Sequence, residues 1–201
     1  MTTSDATPVA QKAARRETAV FGIAGFGIVV IEEAYEIPMK RLVPDIPFPA
    51  YSYVPGLFPH PFSDAAGHRF GHGLDLTPKA DADANCPAFR LGVDLFNHGY
   101  YWEAHEIWEG LWHWAGRRGP RADFFKALIQ LAVVGVKIRE NRLDGAETHA
   151  RRAVELLAPL EPLVWSLSRD RLIAMANAVI DEPPTVSKPR QPVEKILGDI
   201  E

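Results

Sequence analysis

Glutamate, histidine and tryptophan are concentrated in one short stretch of the chain, GYYWEAHEIWEGLWHW at residues 99–114. This stretch contains four of the five tryptophans of the protein, interleaved with glutamates and two histidines. Glutamate and histidine are costly to bury without partners, whereas tryptophan is well suited to form the wall of a pocket. The stretch therefore predicts either a polar site within an apolar wall or a structural hydrogen-bond network.

His105 and Glu109 are four residues apart, so a helix places both side chains on one face, one turn from each other. Trp112 extends this line, and Glu106 lies beside it. An imidazole and a carboxylate in this arrangement can ligate one divalent metal ion, or the carboxylate can orient the imidazole for acid–base catalysis. A third interpretation is a buried hydrogen-bonded pair that fixes helix packing. All three interpretations are open on the sequence alone.

In the metal interpretation, His105 and Glu109 are ligands, and a histidine of the preceding proline-rich segment supplies the third: His60, His68 or His72. In the catalytic interpretation, Glu106 and His105 are the catalytic pair, with Glu106 as second carboxylate or proton acceptor. Polar and aromatic side chains on nearby helical faces are expected to line the pocket: Asn97, Tyr100, Trp108, Trp112, Gln130 and Lys137.

Two classes of function follow from these interpretations. The first is a small enzyme, metal-dependent or acid–base and expected to be hydrolytic, that acts in a tryptophan-lined pocket with no cofactor other than a divalent metal ion. The second is a non-enzymatic helical interaction or oligomerisation module, in which the His/Glu cluster is a structural hydrogen-bond network.

Several known catalytic motifs do not fit this stretch. HEIWE differs from the metalloprotease motif HExxH, because Glu109 stands at the position of the second histidine. The di-iron bundle motif needs Glu-x-x-His on two helices, whereas Glu103 and His105 are only two residues apart. The chain also contains no phosphate-binding loop, GxSxG or CxxC motif.

The spacing His105-x-x-x-Glu109-x-x-Trp112 resembles the signature of a bacterial and archaeal family, domain of unknown function 309. The resemblance covers about residues 46–158 and includes the blocks FNHGYYWEAHEIWEGLW, ALIQLAV and ENRLDGA. It implies an all-α fold and suggests that the His/Glu motif binds a metal, but it brings no established activity. It also implies histidine or lysine at position 137, where this chain has lysine and so lacks an imidazole ligand.

The elements that must position these residues are predicted to be helices from Pro87 onward. The spacing of apolar residues and the positions of proline and glycine predict a first helix from Pro87 to about Gly99 and a second that ends near Gly116. Three more helices are predicted at Asp123–Glu140, Asp144–Leu157 and Leu163–Ile180. Asn141 is expected in a left-handed conformation, and Asp144 with Glu147 matches a capping box. Short connections favour antiparallel neighbours. The predicted fold is all-α, a compact bundle of about five helices, orthogonal or up-down, with a Pro-rich N-terminal strap packed on it.

The domain boundaries follow from composition. Residues 1–45 form an N-terminal extension whose apolar run Ala19–Ile31 is a helix or a strand, and residues 46–86 form a strap rich in proline, histidine and aromatic residues. Residues 87–180 are the helical domain and 181–201 the tail. The run Ala19–Ile31 is shorter than the roughly 20 residues needed to span a bilayer, so we expect no membrane association.

The net charge and the cysteine content limit the kinds of partner and site that we expect. The net charge of −4 gives no basic excess for nucleic acid, and Cys86 as the single cysteine excludes an intrachain disulfide and a cysteine-rich zinc site. A reducing cytoplasm is therefore the expected compartment. A homo-oligomer is a further expectation, with the glycine-containing run Ala19–Ile31 docking a partner or a second copy, and the small-molecule ligand is unidentified.

Overall fold

Five α-helices form the fold in the computed structural model, which describes residues 40–72, 76, 78–184, 197 and 199–200. In chain order the elements are α1 Pro87–Asn97, α2 Tyr101–Trp114, α3 Pro120–Arg139, α4 Leu143–Leu157, β1 Leu163–Val164, β2 Leu167–Ser168 and α5 Arg169–Asp181. The predicted all-α bundle of five helices is confirmed. The run Ala19–Ile31 and most of the tail lie outside the described residues.

Each helix packs against the helix that follows it in the chain. Tight turns allow consecutive helices to pack against each other. In the turn between α3 and α4, Asn141 adopts a positive φ of 58°, as predicted. α3 is the central element, because it contacts both α2 and α4 along its length. Within the ranges described here, no helix is both long and apolar enough to cross a membrane.

Two local predictions are wrong. The predicted capping box does not form, because α4 begins at Leu143 with Arg142 as its N-cap and without a side-chain cap hydrogen bond. The predicted helix Leu163–Ile180 begins instead at Arg169, and the segment before it is an antiparallel hairpin. Trp165 and Ser166 have φ values of 51° and 63°, the left-handed pair that closes a tight hairpin turn.

Residues 40–72 form an irregular strap that hydrogen-bonds to the helices. The carboxylate of Asp94 in α1 accepts the backbone N–H groups of Leu42 and Val43 at 2.8 and 2.9 Å. The buried hydroxyl of Ser52 accepts from Arg139 of α3 at 2.6 Å and donates to the carbonyl of Gly99 at 2.9 Å. Buried polar groups need such partners, so these contacts fix the strap on α1, on α3 and on the turn between α1 and α2.

Two glycines let the helices approach closely. A Cβ at Gly92 of α1 would overlap the indole of Trp108, and a Cβ at Gly135 of α3 would overlap the ring of Tyr101. Both aromatic residues belong to α2 and are fully buried. The α1–α2 and α2–α3 contacts therefore have no room for a larger residue at these positions.

Gly92→Ala and Gly135→Ala should each lower the free energy of unfolding by about 1–3 kcal/mol, because overpacking displaces a buried aromatic ring. Chemical denaturation measures the change. Gly110→Ala is the matched control: this exposed helical glycine has open space around it, so alanine there should stabilise the protein by about 0.5–1 kcal/mol. Equal effects at all three positions would contradict the close helix packing.

Candidate functional site

The burial pattern of α2 separates an inner face from an outer face. Tyr101, Ala104, Trp108 and Leu111 are almost completely buried and contribute to the core. The residues of the predicted site lie on the partly exposed side of the same helix: His105, Glu106, Glu109 and Trp112. The apolar positions of α2 thus place these side chains on a partly exposed surface rather than in the core. We call this surface, between α2 and the neighbouring helix Pro120–Arg139, the groove.

His105, Glu106 and Glu109 form one compact group. One ligand atom from each of the three side chains lies within 4.8 Å of the other two. The imidazole Nδ1 of His105 is 3.3 Å from Oε1 of Glu106, and the two side chains are 24% and 31% exposed. This Nδ1 is buried and has no hydrogen-bond partner among the described residues. The group therefore has the donor atoms and the spare coordination capacity to hold a metal ion.

α3 runs antiparallel to α2 and supplies the second wall of the groove. Tyr101 near the start of α2 packs on Gly135, whereas the ammonium of Lys126 lies 4.6 Å from the ring centroid of Trp112 near the end of α2. The Lys126–Trp112 pair is a cation–π contact. The chain thus places Lys126 at the Trp112 end of the groove.

His149 of α4 completes the groove, and sequence reasoning missed it. Its Nδ1–H donates to Oε1 of Gln130 in α3 at 2.7 Å. Burial lowers the pKa of His149 from its ordinary 6.5, and the positive charges of Lys137, His105 and Lys126 lower the pKa further. The signal in the sequence was its position on the alanine-rich face of α4, beside the buried Ala146 and Ala150.

Lys137 lies at the opposite end of the groove from Lys126. Its ammonium forms an ion pair with Glu140 at 2.7 Å, and its aliphatic stem passes Gly145 of α4. It also lines a cleft of about 560 Å³ whose other walls are Asn141, Arg142, Leu143, Asp144 and Gly145. Of the predicted pocket residues, Trp112, Gln130 and Lys137 are therefore in or beside the groove.

The other predicted pocket residues serve packing instead. Trp108 is fully buried in the core. Both amide atoms of Asn97 bind the backbone of Ile200, with Nδ2 donating to its carbonyl and Oδ1 accepting its N–H. The ring of Tyr100 packs against Phe48 of the strap, and burial together with the charge of Glu103 raises the pKa of Tyr100. These three side chains are thus committed to core and strap contacts.

The three strap histidines predicted as possible third ligands make other contacts or are exposed in the structure. His68 donates from Nε2 to Glu103 Oε1 at 2.9 Å, and the ring of His60 packs on Tyr53 and Trp102. His72 is exposed beside the apolar cavity of about 600 Å³ under the strap. Within the described ranges, the group that could hold a metal contains none of these three, and Glu106 takes the third position.

Glu103 is the structural carboxylate of α2. Its side chain has no solvent exposure, and Oε1 accepts both the backbone N–H of Tyr53 and the imidazole of His68, each at 2.9 Å. The side chain of His68 is only 5% exposed. Both donors belong to the strap, so this carboxylate joins the strap to α2. Glu103 is therefore the centre of a structural hydrogen-bond network between α2 and the strap.

The helices and the groove define an all-α bundle with a polar, metal-competent site on α2. Residues 89–149 match the model of the family described as Domain of unknown function (DUF309). The match begins in α1 and ends at His149, so it contains every groove residue described above. None of the curated proteins matches the chain.

Glu103→Ala should lower the free energy of unfolding by about 3–5 kcal/mol, because it leaves His68 and the Tyr53 N–H buried without their acceptor. Thermal and chemical denaturation measure this loss. Glu109→Ala on the outer face of the same helix is the control and should change stability by less than about 0.5 kcal/mol. A similar loss in both variants would show that Glu103 has no special structural role.

His149 should titrate below pH 6.5, and Lys137→Met should raise its midpoint by removing one of the positive charges that lower the pKa. NMR titration of the imidazole resonances measures both values. Arg152→Met is the matched control, because this exposed cation of α4 is paired with Glu155 and should leave the midpoint unchanged. A midpoint at or above 6.5 in the native protein would contradict the assignment.

The same shift has a consequence for stability. Because the pKa of His149 is lower in the folded protein than in the unfolded chain, the unfolded chain binds the proton more readily. Well above pH 6.5, the titration of His149 therefore does not affect the free energy of unfolding. As the pH falls below that value, the titration lowers the free energy of unfolding and so destabilises the protein.

Proposed function

We propose that His105, Glu106 and Glu109 bind a divalent metal ion and that the groove uses it for hydrolysis. The observation that carries the proposal is the convergence of three ligand atoms within 4.8 Å on the outer face of α2. The buried Nδ1 of His105 supports it, because this atom has no hydrogen-bond partner and lies 3.3 Å from the Glu106 carboxylate, and an ion could bind to both groups.

The donor set suits a catalytic rather than a structural ion. One imidazole and two carboxylates are ligands accepted by zinc and by several first-row transition metals. Structural zinc sites are closed by four protein ligands, whereas catalytic sites use three and leave positions open. The partial exposure of His105 and Glu106 leaves access from the groove. When bound, the ion would act as a Lewis acid that polarises a substrate oxygen.

The residues opposite α2 are suited to handle protons and substrate. With its Nδ1–H donated to Gln130, a neutral His149 keeps a lone pair on Nε2. Its lowered pKa keeps it neutral at pH 7, so Nε2 can accept a proton. The indole of Trp112 offers a flat apolar surface at the other end of the groove.

The alternative of a purely structural cluster is less well supported. A network that fixes helix packing must join different elements, as Glu103 does with the strap. The ion pair of His105 is with Glu106, its neighbour in the same helix. This pair contributes nothing to the contact between α2 and α3, and its exposure reduces its value for stability.

Metal binding is tested by titrating chelator-treated protein with Zn²⁺ and Mn²⁺ in a calorimeter. Loss of an outer-shell partner already weakens metal binding roughly 10–100-fold, so His105→Ala and Glu109→Ala should each weaken it by roughly 100-fold or more. His113→Ala and Glu155→Ala, at exposed positions of α2 and α4, are the controls and should bind like the native protein. Unchanged binding in His105→Ala would refute the site.

The hydrolytic part is tested separately with p-nitrophenyl acetate and p-nitrophenyl phosphate. Release of p-nitrophenol should require the metal that binds in the calorimeter and should be abolished by His105→Ala. Equal rates with and without bound metal would contradict hydrolysis at this groove while leaving the metal site intact.

A further inference from the structure

The apolar cavity of about 600 Å³ under the strap shares no residue with the candidate metal group on α2. Leu91 and Leu95, one turn apart on α1, form one wall, and Ile46 and Phe48 of the strap form another. The cavity reaches the protein surface, because Ala50 at its edge is exposed. A volume of this size with a mostly apolar lining is typical of a pocket for a small molecule.

Basic side chains line the same cavity. They are Arg69, His68 and His72, and none of the described residues that line the cavity is acidic. Arg69 is partly buried and makes no side-chain hydrogen bond or ion pair with another described residue. A guanidinium beside an apolar wall without a counter-charge favours an anionic partner. We propose that this cavity binds a carboxylic acid with an apolar chain, and that its carboxylate pairs with Arg69.

The carboxylates of the protein that lie near the cavity already have cationic partners. Asp94 of α1 lies 3.6 Å from Nε of Arg41, and Glu103 of α2 lies 2.9 Å from Nε2 of His68. Neither carboxylate forms an ion pair with Arg69 among the described residues. The charge of Arg69 is therefore the one that a ligand at this cavity would meet uncompensated.

The walls of the cavity are held in place by other contacts. The guanidinium of Arg41 donates to the backbone carbonyl of Ile46, and its central carbon lies 3.8 Å from the ring centroid of Phe48. The Phe48 ring also packs on Tyr100, with 4.9 Å between the centroids. The two leucines of α1 belong to the hydrophobic core. A ligand would thus meet walls that are already ordered, which lowers the entropy cost of binding.

The type of cation and the apolar walls together select the ligand class. The planar guanidinium of arginine matches the two oxygens of a carboxylate, which it can bind with two parallel N–H groups. The leucine and phenylalanine side chains offer no polar group, so the remainder of the ligand must be apolar to gain from burial. A neutral alcohol would lack the charge for Arg69, and an amine would be repelled by it.

The first test is calorimetric titration of the native protein with hexanoate, octanoate and decanoate, each below its critical micelle concentration. The affinity should rise roughly fourfold for each added methylene group, because each one buries more apolar surface. Octanol has the same apolar chain without the charge, and it should bind at least roughly tenfold more weakly than octanoate.

The carboxylate position is tested with Arg69→Met, which keeps an apolar stem and removes the charge. This variant should bind octanoate at least roughly tenfold more weakly and should bind octanol like the native protein. Arg118→Met is the matched control, because Arg118 is exposed in the turn between α2 and α3 and does not line the cavity. Circular dichroism confirms that each variant is folded.

The apolar part of the cavity is tested with Ala50→Trp. Ala50 is exposed at the cavity edge, so a large side chain there can enter the cavity without displacing core residues. This variant should weaken the binding of octanoate and of octanol alike. Ala65→Trp is the control, because Ala65 is also exposed in the strap but does not line the cavity.

Three results would overturn the inference. The first is no octanoate binding at millimolar concentration. The second is equal octanoate affinity in Arg69→Met and native protein. The third is equal affinity for hexanoate, octanoate and decanoate, which would indicate an anion site without an apolar pocket.

The inference is independent of the proposed metal site, and one variant separates the two. His105→Ala should bind octanoate with native affinity, because His105 does not line the cavity. If Zn²⁺ fails to bind the native protein while octanoate binds through Arg69, the proposed function is wrong and the carboxylate site stands. If Zn²⁺ binds through His105 and octanoate does not bind, the carboxylate site is wrong and the metal site stands.

Discussion

The fold depends on the need to satisfy one fully buried carboxylate. Glu103 has no exposed side-chain surface, and an unpaired charge in such a place would destabilise the protein severely. The strap provides two donors for Oε1, the Tyr53 N–H and the His68 imidazole, while Oε2 has no hydrogen-bond partner among the described residues. Once Glu103 is fixed inward, the helical period of α2 carries His105, Glu106 and Glu109 to the outer side. The same helix therefore holds the buried Glu103 and, on its partly exposed side, the three side chains that could hold a metal ion.

The sequence predicted the helices well because the signals for them are local. Pro87 at the first turn of α1 and the left-handed Asn141 act through their own backbone. The hairpin before α5 was missed because its turn residues, Trp165 and Ser166, are not the usual residues for positive φ. Their conformation depends on tertiary packing, since Trp165 contacts Phe89 and Phe125 in the core.

The site was predicted only as far as one helix determines it. The spacing of His105 and Glu109 placed them on one face, and Glu106 was recognised as their neighbour. The roles of His68 and Asn97 depend on chain segments 35 and 103 residues away, and no local pattern specifies such pairing. His149 was missed for the same reason, because its partner Gln130 lies on another helix. A polar side chain on an alanine-rich helical face is the general sign that could reveal such a residue.

We propose that a metal ion binds on the outer face of α2, where His105, Glu106 and Glu109 could hold it, and not at the strap. Anomalous diffraction from crystals grown with Zn²⁺ tests it most directly, because the signal locates the ion independently of any assay. We expect one strong peak at roughly 2.0–2.2 Å from a nitrogen of His105 and from carboxylate oxygens of Glu106 and Glu109. A peak at His60, His68 or His72, with none at His105, would contradict it.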